Sequence, residues 1–216
     1  MRRVIGTFTR LSTETPALAL DLDLVRLQRR VGSSIALDQL FAMWVTAAAS
    51  LFEEHTGRPV IREGFQYRLD CPPPVDRFIE IPKTPLVSVE SITYAVDGSP
   101  DEETFGAENY DVIAPAGVHG APGRVVLKSG ASWPTCLQVD GALRINLTAG
   151  YATSASTVPA LVQACLLFLV GHFHKYGEEV QEGTLSTLPL GAETMMRAFK
   201  YSALPTQAPW EVPWQG

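Results

Sequence analysis

The residues of this chain best suited to metal chemistry are two histidines, His172 and His174, which stand two positions apart. On a strand both would lie on one face and could bind a metal together. The stretch from Ala160 to Phe173 is apolar with helical spacing, however, and in a helix a step of two residues turns the chain by about 200°. The two imidazoles should therefore point apart, and because the sequence places no third ligand near them we expect no metal site.

Two other groups could in principle act in catalysis. Glu53, Glu54 and His55 could exchange protons, but they fall at a predicted helix end, where solvated charges are typical. Cys71 precedes three prolines and has no identifiable partner to activate a nucleophile. The sequence contains no GxxxxGK, GxSxG or HExxH motif. We therefore predict no catalytic residue and no cofactor. A small hydrolase remains an alternative that requires a concave pocket with converging polar side chains.

Composition narrows the class of protein. With 216 residues, 46% of them hydrophobic and 19% charged, the chain should form one globular domain with extensions. Its net charge of -6 argues against a general nucleic-acid binder, which needs cations to neutralise phosphates. The widely spaced cysteines Cys71, Cys136 and Cys165 predict reduced cytosolic thiols. No apolar stretch suits a signal peptide or a membrane span, so we expect neither.

Helical spacing of apolar residues appears at both ends of the chain. Residues 1–15 show no period and are predicted to form a mobile arm. Asp38 is the predicted N-cap of the second helix, and Gly57 is its expected end, in a backbone conformation with positive φ. The four predicted helices cover Pro16–Val31, Asp38–His55, Pro159–Tyr176 and Gly191–Tyr201.

The middle of the chain shows a period of two instead. Glycine and proline turns separate the predicted strands Val60–Leu69, Phe78–Ile81, Val87–Val96, Asn109–Ile113, Arg124–Lys128 and Leu143–Ala149. The acidic run Asp101–Glu103 is predicted to be a loop tip. The expected fold class is α+β: a helical bundle with an inserted small antiparallel β-domain. We divide the chain into an N-terminal arm and helix (1–34), a core (35–190, with the β-domain at about 60–150) and a C-terminal helix and tail (191–216).

The third predicted helix has more apolar surface than one face can hold. A helix that is apolar all round must be covered all round. Either its own sheet and second helix cover it, or a neighbouring subunit covers one side, and the sequence leaves both open. The large apolar residues proposed for a subunit interface are Trp44, Phe168 and Phe173.

The C-terminal tail also carries large apolar groups that an extended segment cannot bury in its own structure. Prolines at 205, 209 and 213 favour an extended backbone, and Trp210 and Trp214 each follow a proline. Tryptophan is enriched among the residues that anchor protein interfaces. The tail should therefore bind a partner, although it could instead fold back on its own domain.

A series of short motifs in fixed order connects these elements. Thr56-Gly57-Arg58 is followed by Pro82-Lys83-Thr84-Pro85-Leu86, Trp133-Pro134, Ala149-Gly150-Tyr151 and Val158-Pro159-Ala160-Leu161. Over residues 35–180 this order resembles the head–tail connector proteins of long-tailed phages and gene transfer agents. His174-Lys175-Tyr176-Gly177-Glu178-Glu179 departs from the family pattern at the end of the third helix.

The resemblance implies a non-enzymatic virion protein. Subunits would form a ring, expected to be dodecameric, between the portal and the next neck or tail protein (a stopper), and DNA would pass through its channel without specific binding. The protein would be assembled in the host bacterial cytoplasm and reside in the particle neck. Residues expected to dock on the portal are Met195, Met196, Phe199, Tyr201, Trp210 and Trp214. A stopper, a tail terminator and a module that recognises a cell surface remain alternatives.

Overall fold

A computed structural model describes residues 6–12, 17–32, 34–70, 72, 76–96, 102–136, 139, 141–176 and 190–200. The helices are α1 (Leu22–Arg29), α2 (Ile35–Thr56), α3 (Ala160–Tyr176) and α4 (Leu190–Phe199). The strands are β1 (Thr7–Arg10), β2 (Glu63–Leu69), β3 (Phe78–Ile81), β4 (Leu86–Ala95), β5 (Glu102–Thr104), β6 (Tyr110–Ile113), β7 (Gly123–Leu127) and β8 (Leu143–Ala149). Strands β2 to β8 lie between two pairs of helices, which confirms the predicted α+β class.

The strands form two antiparallel sheets. One has the order β1-β2-β8-β4-β5, and the other has the order β3-β7-β6. In the central strand β8, buried residues alternate with half-buried ones, so that Ile145 and Leu147 face the core and Asn146 faces outward. This alternation explains why the bounds of β8 could be predicted correctly from the sequence.

The described residues form two hydrophobic cores. The helical core joins one face of α2 to α3 and α4, and its fully buried residues include Phe41, Val45, Phe52, Leu166 and Leu169. The sheet core lies between the two sheets and includes Phe65, Ile81, Ile92, Val125 and Leu147. Residues that connect the helices to the sheets must therefore hold two separately packed layers together.

The helix ends follow capping chemistry, with one correction to the prediction. The N-cap of α2 is Ser34, not Asp38. Asp38 lies inside the first turn, where it accepts a hydrogen bond from Arg26 at 2.6 Å and so ties α1 to α2. At the other end, Gly57 has a φ of 71° and donates its N–H to Glu53 O, which confirms the predicted helix end.

Two segments predicted to lack regular structure are strands. Part of the N-terminal arm forms β1, in which Phe8 stacks on Tyr67 at 4.4 Å between ring centroids. Part of the acidic run forms β5, where Glu102 pairs with Arg144 and Glu103 accepts a hydrogen bond from Tyr94 Oη. Both predictions were wrong because each strand is created by its pairing with another strand, β2 for β1 and β4 for β5, and not by a local pattern.

Candidate assembly surfaces

The two histidines predicted not to form a metal site lie near the end of α3 in different surroundings. The His174 ring packs against Phe41 and Trp44, with centroids 5.9 and 5.7 Å away. Burial lowers the pKa of His172, which favours its neutral form. Among the residues that the structure describes, no three His, Cys, Asp or Glu side chains are grouped so as to hold a metal ion.

Of the three residues Glu53, Glu54 and His55 at the end of α2, Glu53 belongs to an ion-pair network, whereas Glu54 and His55 are exposed. Glu53 lies 2.7 Å from the Arg10 guanidinium and 2.5 Å from Lys83 Nζ, and Arg10 also lies 2.7 Å from Glu63. A pocket beside this network is lined by Arg10, Glu53, Glu63 and Ser50, among others. Burial raises the pKa of Glu63, and this effect outweighs the nearby Arg10 charge, which lowers it. The network holds β1 against α2 and β2, so its charges serve the fold.

The cysteines offer no reactive thiolate in the described part of the chain. Cys165 is buried in the helical core, and burial raises its pKa to about 11. At neutral pH this group therefore stays a protonated thiol, which is a poor nucleophile. Cys136 is also buried, and Cys71 lies outside the described residues.

Three of the short sequence motifs meet where the helical layer meets the sheets. Backbone hydrogen bonds run from Gly150 N to Pro85 O (3.0 Å), from Tyr151 N to Pro59 O (3.2 Å) and from Ala152 N to Val60 O (3.1 Å). These bonds join the Ala149-Gly150-Tyr151 motif to the Thr56-Gly57-Arg58 turn and to the Pro85 motif. We call residues 56–62, 84–86 and 149–152 the junction.

Gly150 shows why one junction position must be glycine. Its φ of 134° lies in a region that other residues rarely adopt. A Cβ at this position would also lie 2.5 Å from Ile61 O, well inside the contact distance. A larger residue would push β8 away from the start of β2 and break the junction.

Arg58, from the Thr56-Gly57-Arg58 motif, is a buried cation at the centre of the junction. The residue is 2% exposed. Its Nε donates to Phe199 O at 2.7 Å, Nη2 donates to Gly120 O at 2.9 Å and Nη1 donates to Tyr151 Oη at 3.3 Å. No described carboxylate forms an ion pair with it.

The partial negative end of one helix takes the place of a counter-ion. The carbonyl oxygen that accepts from Arg58 Nε belongs to Phe199, the last residue of α4. The C-terminus of a helix carries a partial negative charge that stabilises a nearby cation. Arg58 thus fixes the end of α4 relative to the junction, and with it the point from which the C-terminal tail leaves.

The residues predicted to dock on the portal are distributed differently from expectation. Met196 and Phe199 are buried in the chain's own helical core, and the Phe199 ring lies 5.1 Å from that of Phe52. The assignment of these two side chains to a partner surface is therefore corrected, because in this conformation they face inward. Met195 is half-buried. Tyr201, Trp210 and Trp214 lie outside the described residues.

The three residues proposed for a subunit interface also separate. Trp44 is buried between Phe41 and His174, so it belongs to the core and the proposal is corrected for this residue. Phe173 is half-buried and packs on the helical core. Phe168 alone of the three is well exposed, at 51%, on the side of α3 that faces away from the core.

Phe168 is part of a longer exposed stripe that we call the α3 outer face, formed by Leu161, Ala164 and Phe168. Leu161 is exposed and Ala164 is half-buried. The spacing of three, four and seven residues places all three on one side of a helix. The other sides of α3 contact α1, α2 and α4. The described part of the chain thus covers most of this apolar helix and leaves the side with Leu161 and Phe168 exposed.

Sequence reasoning missed a second exposed helix side, the α2 outer face, which carries Ala36, Met43 and Ala47 together with the polar residues Gln39 and Thr46. Met43 is 56% exposed, and both alanines are exposed. The signal was present, because α2 carries apolar residues on more sides than one buried face requires. By length and composition alone α2 could also cross a membrane, a property that core helices share; here Phe41, Val45 and Phe52 bury one of its sides in the helical core.

Comparison with known proteins supports the resemblance through structure alone. Neither a family model nor a curated protein matches the sequence. Among solved structures, a chain in the neck of an empty gene transfer agent (GTA) particle, computed with sixfold symmetry, has a TM-score of 0.72 and 21% identity, and the match covers 94% of this chain and 100% of that one.

Two related structures match equally well. A chain in the neck of a native GTA particle, computed with twelvefold symmetry, has a TM-score of 0.69 and 21% identity over 94% of this chain and all of that one. A chain in the virion of a native GTA particle has a TM-score of 0.70 and 19% identity over 91% and 96% of the two chains. The connector-like layout read from the motifs is therefore confirmed at the level of the fold: this chain has the fold of chains found in gene transfer agent particles and their necks.

Proposed function

We propose that this chain is a structural, non-enzymatic subunit of the neck of a phage or gene transfer agent particle. It would serve as the head–tail adaptor, a ring between the portal and the next neck protein. The observation that carries the proposal is the match along the whole chain, with 94% of this chain and 100% of the neck chain aligned. A match of that extent means that the helices and both sheets have counterparts, and not only a common motif.

Symmetry and charge agree with a ring of this kind. The similar neck structures were computed with sixfold and twelvefold symmetry, so a dodecamer remains our expectation. Repetition around an axis requires each subunit to offer surfaces to its neighbours, and large apolar side chains are exposed on two helices here, Met43 on α2 and Phe168 on α3. A net charge of -6 suits a channel through which DNA passes, since like charge removes the attraction to phosphates.

The alternatives agree less well with the molecule. A stopper or a tail terminator is expected to lack long helices beside its sheet, whereas α2 has 22 residues and α3 has 17. A hydrolase needs unpaired polar groups that converge in a pocket, and the carboxylates beside the described pocket are paired with Arg10. The adaptor role therefore remains the proposal that the observations favour most.

Deleting the gene for this chain tests the proposed function. In a strain that produces particles, the deletion should yield DNA-containing heads and separate tails, because the two would lack their connecting ring. Electron microscopy of the purified particles gives the result. Supplying the wild-type gene from a plasmid should restore tailed particles. Normal tailed particles in the deletion strain would exclude the adaptor role.

The C-terminal tail gives a second prediction about the same role. We expect a chain truncated after Ala203, or one carrying Trp210→Ala and Trp214→Ala, to fold normally but to be missing from portal-containing particles. The reason is that indole rings commonly supply the buried anchors of an interface. Immunoblotting of purified particles measures incorporation, and urea unfolding of the isolated chain measures its stability.

Trp210→Phe with Trp214→Phe is the matched control, because it keeps two aromatic anchors and should be incorporated. Normal incorporation of the alanine variant would show that the tail is not a docking segment. A large loss of stability in the isolated alanine variant would instead support a tail that folds back on its own domain.

A further inference from the structure

The loop between β6 and β7, residues 114–122, belongs to the three-stranded sheet but packs on the helical layer. Tyr110 and Val125, in the strands on either side of it, lie in the sheet core, whereas Val118 within the loop packs against the helical core. A hydrogen bond from Gly120 N to Gly117 O, at 3.2 Å, closes a turn in the loop. The loop is therefore held by a layer of the protein other than its own sheet.

The same loop meets the C-terminal end of α4 through Arg58. The Nη2 atom of Arg58 donates to Gly120 O at 2.9 Å, and the Nε atom of the same guanidinium donates to Phe199 O at 2.7 Å. Beside these bonds, the His119 ring lies 5.0 Å from the Phe199 ring, between centroids. One buried cation thus joins two segments that are far apart in the sequence.

Tyr151 adds a second path to the loop. Its Oη donates to Val118 O at 2.6 Å and accepts from Arg58 Nη1 at 3.3 Å. Val118 and Gly120 are both half-buried, so their carbonyl groups are held in a part of the loop that is partly shielded from water. Arg58 and Tyr151 together fix the backbone of the loop at two neighbouring carbonyls.

The hydrogen bonds of Arg58 depend on one another because a guanidinium is a rigid plane. The bond from Nε to Phe199 O sets the direction in which Nη2 points at Gly120 O. If either segment moved away, a buried N–H of a charged group would lose its acceptor, which is more unfavourable than the same loss at a neutral group. Opening of one segment therefore weakens the attachment of the other.

We propose that Arg58 couples the β6–β7 loop to the C-terminal end of α4, so that the two segments open and close as one unit. Proteins commonly open locally in such cooperative units while the rest stays folded. The chain continues from this end of α4 into the C-terminal tail, so a partner that held the tail would also hold the loop. The coupling goes beyond the adaptor role and does not depend on it.

Native-state proteolysis of the isolated full-length chain tests the coupling. Trypsin cleaves at Arg197, within α4, when that helix opens, so the rate of cleavage reports the open fraction. Val118→Ala loosens the loop, and we expect it to raise cleavage at Arg197 about tenfold relative to cleavage at Lys128, which follows β7. Val139→Ala is the matched control, because Val139 is 46% exposed and lies between β7 and β8; it should leave cleavage at Arg197 unchanged.

The reverse experiment uses the reciprocity of any such coupling. Met196 is 2% exposed, so Met196→Ala should leave a cavity beneath α4 and loosen it. Ala116 is exposed in the loop, and Ala116→Lys places a trypsin site there. We expect Met196→Ala to raise cleavage at residue 116 and not at Lys128. In chains that also carry Arg58→Met, loosening one segment should no longer raise cleavage in the other.

Two results would overturn the coupling. One is no acceleration, or equal acceleration at the reference site, which would indicate global unfolding. The other is an effect of Val118→Ala that persists undiminished beside Arg58→Met, because packing would then join the segments. If Val118→Ala does not fold, Gly120→Ala replaces it, since a Cβ at that position would lie 3.0 Å from Pro115 O and displace the loop. Failure of the coupling would leave the adaptor role standing, because the gene deletion tests that role separately.

Discussion

Replacing Arg58 by methionine is expected to lower the free energy of unfolding by about 3 kcal/mol, near the upper end for a single substitution. Methionine keeps much of the side-chain volume but cannot donate hydrogen bonds. The carbonyl oxygens of Phe199 and Gly120 would then be buried without the donors that they have now. Urea unfolding followed by circular dichroism measures the change.

Arg62 supplies the matched control for this substitution, because it lies four residues further along the same segment and is exposed. Arg62→Met should change the free energy of unfolding by less than about 0.5 kcal/mol. Arg58→Lys should recover part of the loss, since one ammonium can reach fewer of the acceptors. If Arg58→Met were as stable as Arg62→Met, the buried guanidinium would not be what holds the junction.

Phe199→Ala is expected to destabilise the chain by about 3–4 kcal/mol, the range for removing a buried phenyl ring. Phe199 is 1% exposed and packs against Phe52 and His119. The cavity left behind would weaken the docking of α4 on α2, so α4 should also lose protection against amide hydrogen exchange. Urea unfolding and hydrogen exchange of the isolated chain report these two effects.

Phe168→Ala is the matched comparison, because it removes the same type of residue from an exposed position. Because Phe168 is half exposed, its removal should lower the free energy of unfolding of the isolated chain by less than about 1 kcal/mol. Its larger effect should be on assembly. The reverse pattern, a stable Phe199→Ala chain that fails to assemble, would restore Phe199 as a partner anchor and contradict its assignment to the core.

The parts of the fold that sequence could predict are those governed by local rules. Strand β3 needs only the apolar pattern of Phe78–Ile81 and the proline that follows it. The end of α2 needs only a glycine that can adopt positive φ, and Gly57 does so. In each case the deciding information lies within a few residues of the feature.

The parts that could not be predicted depend on distant partners. Thr7–Arg10 becomes a strand because β2, more than fifty positions away, pairs with it. Asp38 has the residue type of an N-cap but is used instead to bind Arg26. The apolar side of α4 would suit an external partner or its own core equally well in sequence, and only the structure turns Met196 and Phe199 inward.

The candidate surfaces were also predictable only in part, because the sequence shows which residues are apolar but not which of them the fold buries. Phe168 was identified from a helix that is apolar all round, although the pattern did not say which side stays uncovered. Trp44 was assigned to an interface because of its size, and the structure places it against His174. Met43 was missed because α2 was taken to have one apolar face, whereas its exposed side is also weakly apolar.

The two outer strands of the five-stranded sheet affect how the protein behaves in solution at high concentration. An open strand edge invites further strands to pair and can lead to fibrils. Here β1 has four residues and ends in Arg10, and β5 has three, two of which are glutamates. Edges that are both short and charged resist such pairing, so this sheet should not drive association of the chain through its edges even where many copies accumulate.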